Sequence, residues 1–334
     1  MAALLPIKII LLLLLSTLFG YPPLENTPSQ SLLILSKTER TLAIVDPVSL
    51  KVIARMPVGP DPHEVIASAD GKFAYVTNYG GGAYNTIAVL DLVEQKALPS
   101  IDLGALKGPH GIVFAGGKVW FTAEAANVVG SYDPNTKKVD FVFGTGQRRT
   151  HMLFVTEATA PIFTTNMGSN TVSMIEKSVL RPGREDWDQT LIPVGKGPEG
   201  FDVAPDGKEV WVSNSQDGTV SIIDVASKKV TNTLDANVKG ANRLKFTPDG
   251  KRVFISTLSG SDATIIDVAK RTEVKRIKLG RGAAGIQMQP DGARAFIACT
   301  PDDYVAIIDL KSLETIGRID VGKQPDGMAW ASRR

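Results

Sequence analysis

The stretch FDVAPDGKEVWVSNSQDGTVSIIDV (residues 201–225) decides the fold, because it places short strand-like runs around an Asp-Gly turn. Asp206-Gly207 supplies the positive φ that a tight hairpin turn needs. The run before this turn and the run KEVWVSN after it predict two antiparallel strands. After a polar loop, GTVSIIDV predicts a third strand, and KVTNTLDA (229–236) predicts a fourth. The unit is therefore four short strands.

The same unit recurs along the chain. The turn signals SADG (68–71), TPDG (247–250) and QPDG (289–292) stand in the position of APDG (204–207), and strand-like runs follow each of them. Aligning the start of the segment before each turn gives seven positions, which we call the aligned positions: His63, His110, His151, Glu199, Asn242, Ala284 and Asp326. They are 41 to 48 residues apart. A four-stranded repeat of this length is typical of a propeller blade.

The two ends of the repeat predict how the ring closes. Residues 32–58 supply three strands without the first, and residues 327–331 supply a first strand without the other three. The C-terminal strand can therefore complete the N-terminal blade, which removes free sheet edges. We predict an all-β, seven-bladed β-propeller with four antiparallel strands per blade, with the insertion at 177–189 in a loop.

The first residues differ from the repeat. Lys8 precedes an apolar run at 9–19, which is typical of a secretory signal and short for a membrane span. We predict a signal peptide at 1–20, a linker at 21–30 and a single propeller domain at 31–332. The protein is then periplasmic or secreted, with an uncleaved signal anchor as the alternative. The composition, 43% hydrophobic and 22% charged with a net charge of +2, is that of a globular domain, which we expect to be monomeric.

AYVTN (74–78) matches the signature of the YVTN-repeat β-propellers, and TVSIIDVASKKV (219–230) also resembles that repeat. The resemblance covers about residues 31–331 and implies a seven-bladed propeller. It does not specify an activity, because similar propellers include surface proteins, lactonases, lyases and haem-binding proteins.

All three histidines of the chain lie at aligned positions, on three successive blades. The first strand of each blade borders the axial channel, so residues just before it stand at the channel mouth. We predict a metal site formed by His63, His110, His151 and Glu199. Imidazole suits zinc, iron, copper or nickel, and three such ligands leave a position open for water or substrate. The alternative is that these residues only cap strand starts, or grip an organic ligand directly.

A second set of residues predicts an anionic ligand on the same face. Six of the seven residues three positions before the aligned ones are basic, namely Lys107, Arg148, Lys196, Lys239, Arg281 and Lys323. Clustered positive charge attracts anions, and arginine can hold a carboxylate or phosphate through two hydrogen bonds. The candidates for binding such a ligand are Glu64, Arg148, Arg149, Asn242, Arg243 and Asp326. Tyr79, Tyr84 and Glu124, on loops of the same face, could also reach inward.

Three classes of function remain open from the sequence. The first is an axial metal site that also binds an anionic small molecule. The second is a metal-free scaffold that binds an anionic polymer, cell-surface component or partner protein. The third is a lactonase or lyase in which a histidine on this face acts as general base. The predicted export signal and the near-neutral charge argue against nucleic-acid binding.

Overall fold

The structure, a computed structural model, describes residues 26–181 and 184–333, and almost all of them lie in strands or tight turns. No α-helix occurs in this part of the chain, which has two short 3-10 turns at Gly80–Gly82 and Thr300–Asp302. None of these described elements is a helix long and apolar enough to cross a membrane. The predicted signal peptide at 1–20 and half of the predicted linker lie outside the described residues.

The strands form seven antiparallel sheets of four strands each. In chain order they are β1 (Gln30–Ser36), β2 (Thr41–Val45), β3 (Val52–Pro57), β4 (Pro62–Ala67), β5 (Phe73–Asn78), β6 (Thr86–Asp91), β7 (Lys96–Asp102), β8 (Pro109–Ala115), β9 (Lys118–Ala123), β10 (Val128–Asp133), β11 (Lys138–Gly144), β12 (Thr150–Val155), β13 (Ile162–Asn166), β14 (Thr171–Arg181), β15 (Arg184–Pro193), β16 (Pro198–Val203), β17 (Glu209–Asn214), β18 (Thr219–Asp224), β19 (Lys229–Asp235), β20 (Ala241–Phe246), β21 (Arg252–Thr257), β22 (Asp262–Asp267), β23 (Thr272–Lys278), β24 (Ala283–Met288), β25 (Arg294–Cys299), β26 (Tyr304–Asp309), β27 (Glu314–Ile319) and β28 (Pro325–Ser332).

Blade 1 confirms the predicted closure of the ring. Its innermost strand is the C-terminal β28, which pairs with the N-terminal β1, and β2 and β3 complete the sheet. Blades 2 to 7 each take four consecutive strands, beginning with β4, β8, β12, β16, β20 and β24. Each innermost strand contacts the innermost strands of the two neighbouring blades, so the seven strands surround one axis.

The hydrophobic core lies between the blades. Seven buried clusters occur in the described residues, and each joins the facing sheets of two neighbouring blades. In the cluster between blades 1 and 2, for example, Leu33 and Leu42 pack with Val65 and Val76. The third strand ends at an aspartate in blades 2, 3, 5, 6 and 7. Asp91 and Asp309, for example, accept hydrogen bonds from backbone N–H groups of the turn that follows, and these aspartates therefore stabilise turns.

The predicted loop at 177–189 is wrong, because β14 and β15 extend through most of this segment as a long hairpin. The ring of Trp187 lies 4.9 Å from that of Phe141 on blade 3, and the ammonium of Lys177 lies over the Trp187 ring, 5.6 Å from its centroid. This aromatic contact joins the hairpin to the neighbouring blade.

Candidate functional site

Every innermost strand carries a β-bulge at its aligned position. In β4 the pairing with β5 skips between Pro62 and Val65, so His63 and Glu64 face a single step on the partner strand. The same shift occurs at the equivalent place in the six other innermost strands. A bulge redirects side chains away from the normal alternation. It therefore explains how one position per blade can face the axis.

Threonines in the second strands hold these bulges in place. The hydroxyl of Thr77 accepts a hydrogen bond from the backbone N–H of Glu64 at 3.1 Å and donates one to the carbonyl of His110, on the next blade, at 2.9 Å. Thr122 bridges the bulge of blade 3 to the carbonyl of His151 in the same way. Thr165 donates to the carbonyl of Glu199 at 3.1 Å. The backbones of three predicted site residues are thus tied to the preceding blade.

The structure brings the three histidines together. The ring centroids of His63 and His110 are 4.5 Å apart, and those of His110 and His151 are 3.8 Å apart. The ring of Tyr79 lies 5.0 Å from both His63 and His110. His110 and His151 are almost completely buried. The imidazoles converge on one small region rather than facing outward.

Glu124 sets the orientation of His151. One of its oxygens contacts Nδ1 of His151 at 2.5 Å, and the other accepts hydrogen bonds from the hydroxyl of Tyr79 at 2.8 Å and from Nε of Arg149 at 2.9 Å. Burial by itself would raise the pKa of Glu124, but the bonds from His151 and Arg149 lower it to about 2. The carboxylate is therefore ionised and accepts the proton on Nδ1, so that in the neutral ring of His151 the lone pair lies on Nε2.

Two ring nitrogens have no hydrogen-bond partner among the described residues although both are buried, namely Nε2 of His151 and Nδ1 of His110. The carboxylate oxygen Oε1 of Glu199 lies 3.9 Å from Nε2 of His151, beyond hydrogen-bond distance, and is held by the side-chain amide of Asn242 at 2.7 Å. Buried polar atoms without a partner are uncommon in folded proteins. These two ring nitrogens are therefore candidates for contact with a ligand.

His63 has different partners. The ammonium of Lys37 lies 2.6 Å from its Nδ1 and also contacts Asp61 at 3.1 Å and Asp326 at 3.3 Å. An ammonium can only donate, so Nδ1 of His63 accepts and its proton lies on Nε2. Burial is the main reason that the pKa of His63 falls to about 4, and Lys37 and Arg243 lower it further against the opposing effect of Asp326. Burial also lowers the pKa of His110 well below its usual value.

The arginines that were predicted to bind an anion differ in their partners and in their exposure. Arg243 is buried and forms an ion pair with Glu64 from the opposite side of the ring, so this arginine already has an anion of its own. Burial raises the pKa of Glu64, and Arg243 partly offsets that effect. Arg149 is half exposed and pairs with Glu124. Arg148 is exposed, whereas Arg281 at the equivalent position of blade 7 pairs with Asp302 at 2.6 Å.

The network at the mouth has an excess of negative charge. Five carboxylates belong to it, and three cations face them. The carboxylates are those of Asp61, Glu64, Glu124, Glu199 and Asp326, and the cations are those of Lys37, Arg149 and Arg243. The low pKa values of His63 and His110 keep these two rings neutral at pH 7. A bound cation would reduce this excess of negative charge.

The site predicted from the sequence does not include Lys37, Asp61, Tyr79 or Glu124. Tyr79 and Glu124 were expected only to be able to reach inward. Lys37, Tyr79 and Glu124 share one signal, since each is the first residue after the second strand of its blade. Tyr84, which was also expected to reach inward, is 40% exposed. Within residues 26–181 and 184–333, no three histidine, cysteine or acidic side chains stand close enough to enclose a metal ion.

The chain is similar in sequence to one described family. Residues 157–294 match the model of the YNCE-like beta-propeller family. Comparison with curated proteins finds no match.

Solved structures of low identity share the fold. A functionally unknown protein from Desulfotomaculum acetoxidans is 14% identical with a TM-score of 0.73, and the match covers 91% of this chain and 99% of that one. A proposed 6-phosphogluconolactonase from Bacteroides uniformis is 16% identical with a TM-score of 0.72, over 90% and 99% of the two chains. NirN, a dihydro-heme d1 dehydrogenase in complex with DHE, is 16% identical with a TM-score of 0.63, over 92% and 67%. Similarity at this level concerns the fold alone.

Proposed function

We propose that the protein binds one divalent transition-metal ion at the axial mouth, through His151, His110 and Glu199. The observation that carries this proposal is the buried Nε2 of His151, which has a lone pair, no partner in the described chain and a carboxylate opposite it. Two imidazoles and a carboxylate are a ligand set that zinc and related ions take.

The surrounding contacts are those that metal ligands usually have. Histidine ligands commonly donate their second ring N–H to a carboxylate, as His151 does to Glu124, and ligating carboxylates are themselves hydrogen-bonded, as Glu199 is by Asn242. An ion about 2.1 Å from both Nε2 and Oε1 in tetrahedral geometry needs these atoms about 3.4 Å apart. The 3.9 Å between them therefore has to shorten by only about half an ångström.

The proposal includes a small anionic molecule as the second ligand. Arg149 contacts Glu124 through Nε and is half exposed, so its other N–H groups can hold an anion beside the metal. Arg148 is adjacent and exposed, with no side-chain partner in the described chain. Arg243 is less suited to this role because Glu64 occupies it. We further propose a periplasmic or secreted location, which rests on the sequence of residues 1–20.

Metal titration tests this proposal. Isothermal titration of chelator-treated protein with Zn²⁺ and Co²⁺, checked by elemental analysis, should give one equivalent per chain. His151→Gln and Glu199→Gln should lower the affinity at least 100-fold, because each removes a direct ligand, and Glu124→Gln should lower it about 10- to 100-fold. Glu94→Gln, which removes an exposed carboxylate from the turn after β6, is the matched control. Less than one tenth of an equivalent in the native protein would rule out the proposal.

Lactone hydrolysis is a second candidate function, since His151, oriented by Glu124, can act as a general base. Glu124 orients His151 as a carboxylate orients the imidazole of a catalytic base, and the free Nε2 could take a proton from water. The proposed lactonase of Bacteroides uniformis shares the fold. Hydrolysis of a sugar-phosphate lactone by metal-free protein, lost in His151→Gln, would favour this function. Hydrolysis that requires added metal would favour the first.

A further inference from the structure

Lys37 fills a position that has the chemistry of a cation site. Its ammonium is in contact with one imidazole nitrogen and two carboxylate oxygens, at 2.6 Å from His63, 3.1 Å from Asp61 and 3.3 Å from Asp326. The lysine side chain is 20% exposed, so the ammonium is largely removed from water. The chain itself therefore shows that this part of the mouth accepts a positive charge.

The groups around the ammonium could hold a metal ion instead. A neutral histidine and two aspartates are ligands of zinc and manganese. Nδ1 of His63 lies 4.0 Å from Oδ1 of Asp61 and 3.9 Å from Oδ2 of Asp326, separations that fit around an ammonium. Metal–ligand bonds of about 2.0–2.2 Å require the three atoms to move closer together. Asp61, whose side chain is the most exposed of the three at 33%, can make most of that adjustment once the ammonium has left.

This position is separate from the metal site proposed above. It uses none of the same ligands, and Nδ1 of His63 is directed at Lys37 rather than at His151. The rings of His63 and His110 are nevertheless in edge contact, with centroids 4.5 Å apart, so both positions open into the same mouth. The repeat pattern predicts that His63 belongs with the other two histidines, whereas its contacts place it with Asp61 and Asp326.

We propose that His63, Asp61 and Asp326 form a second divalent-cation site, for which the Lys37 ammonium is a built-in competitor. Lys37 then limits the native mouth to one metal ion. Without it, Asp61 and Asp326 leave two negative charges around a neutral imidazole, which one divalent ion balances. This inference adds to the proposed function but rests on a different set of ligands.

The experiment compares metal stoichiometry in native protein and Lys37→Met, a substitution that keeps the length of the side chain and removes its charge. Zn²⁺ and Mn²⁺ titrations with elemental analysis should give one equivalent for native protein and two for Lys37→Met. Lys239→Met, at an exposed lysine on the rim, should stay at one. Adding Asp326→Asn to Lys37→Met should return the value to one.

The possible outcomes separate this inference from the proposed function. If native protein binds no metal and Lys37→Met binds one ion, the second site stands and the first does not. If folded Lys37→Met binds no more metal than native protein, the second site is wrong whatever the native value is. Lys37→Gln answers the question in the same way if Lys37→Met does not fold.

Discussion

The three histidines show which features of the site can be predicted from the position of one residue type and which cannot. Their common repeat position predicted that they would meet, and the ring distances of 3.8 and 4.5 Å confirm it. The partner of each ring nitrogen could not be predicted in the same way, because it depends on contacts between blades. Glu124 reaches His151 from a loop of the preceding blade, and Lys37 reaches His63 from a loop of blade 1.

The buried state of His63 predicts a pH dependence of stability. Its pKa is about 4 in the folded protein and about 6.5 in the unfolded chain, so the unfolded state binds more protons between these values. The contribution of His63 to the free energy of unfolding is therefore fully present above pH 6.5, and it is lost as the pH falls toward 4. From pH 7.5 to pH 5 the contribution of His63 amounts to about 2 kcal/mol, and His110 adds to it in the same direction.

Urea unfolding in the presence of a chelator checks this prediction, with His63→Gln as the comparison. Native protein should lose on the order of 2 kcal/mol more than His63→Gln between pH 7.5 and pH 5. Glu124, whose pKa is lowered to about 2, adds its own loss only below about pH 4.5, so it does not disturb this window. Equal losses in the two proteins would show that His63 titrates normally in the fold.

At the scale of elements, the bulge in each innermost strand is the feature that lets the side chain at the aligned position face the axis. The Asp-Gly turns and the strand period were readable in the sequence, because each depends on local backbone preference. The bulges were not, since a bulge is a property of two paired strands. The long hairpin of β14 and β15 was missed for a similar reason, because Trp187 finds its aromatic partner Phe141 on a different blade.

Glycine after the aligned position lets neighbouring bulges approach closely. A Cβ added to Gly200 would lie 2.5 Å from the carbonyl oxygen of Asn242 and 2.6 Å from Cα of Arg243. Gly200→Ala should therefore destabilise the protein by about 3 kcal/mol, at the upper end of the usual cost of overpacking. It should also weaken metal binding, because Glu199 and Asn242 would be displaced.

The matched control for this prediction is Gly144→Ala at the end of β11, where an added Cβ meets nothing within 4 Å. Its effect should stay within about 0.5 kcal/mol, as for most surface changes. Chemical denaturation of both variants and a zinc titration provide the comparison. Similar stability of the two variants would mean that the blades can separate at the bulge without cost.

At the scale of the whole molecule, the axial site depends on the ring staying closed. The proposed ligands come from successive blades, and Asp326 comes from β28, the strand that completes blade 1 from the C-terminal end of the chain. Ring closure was predictable because the first and last repeats are complementary fragments. The contact of Lys37 with His63 was not predictable, because it depends on how blade 1 packs against blade 2.

Two circular permutants separate the effect of this closure from that of the blades themselves. The backbone N–H of Arg333 donates to the carbonyl of Ser29 at 2.7 Å, so a short linker can join the described ends. One permutant begins at Arg271, in the turn between β22 and β23, and keeps a blade built from both ends of the chain. The other begins at Lys323, so that every blade is one continuous segment and only side-chain packing holds blades 7 and 1 together.

We expect the first permutant to retain native hydrogen-exchange protection, and the second to exchange at least tenfold faster in β24 and β28. The physical reason is that opening the interface between blades 7 and 1 would break neither a sheet ladder nor a chain connection in the second permutant. That interface carries Trp330, which packs against Phe296 and donates to the carbonyl of Met288 at 2.6 Å. Equal protection in both permutants would show that packing between blades alone closes the ring. The metal site would then tolerate a break anywhere around the circle.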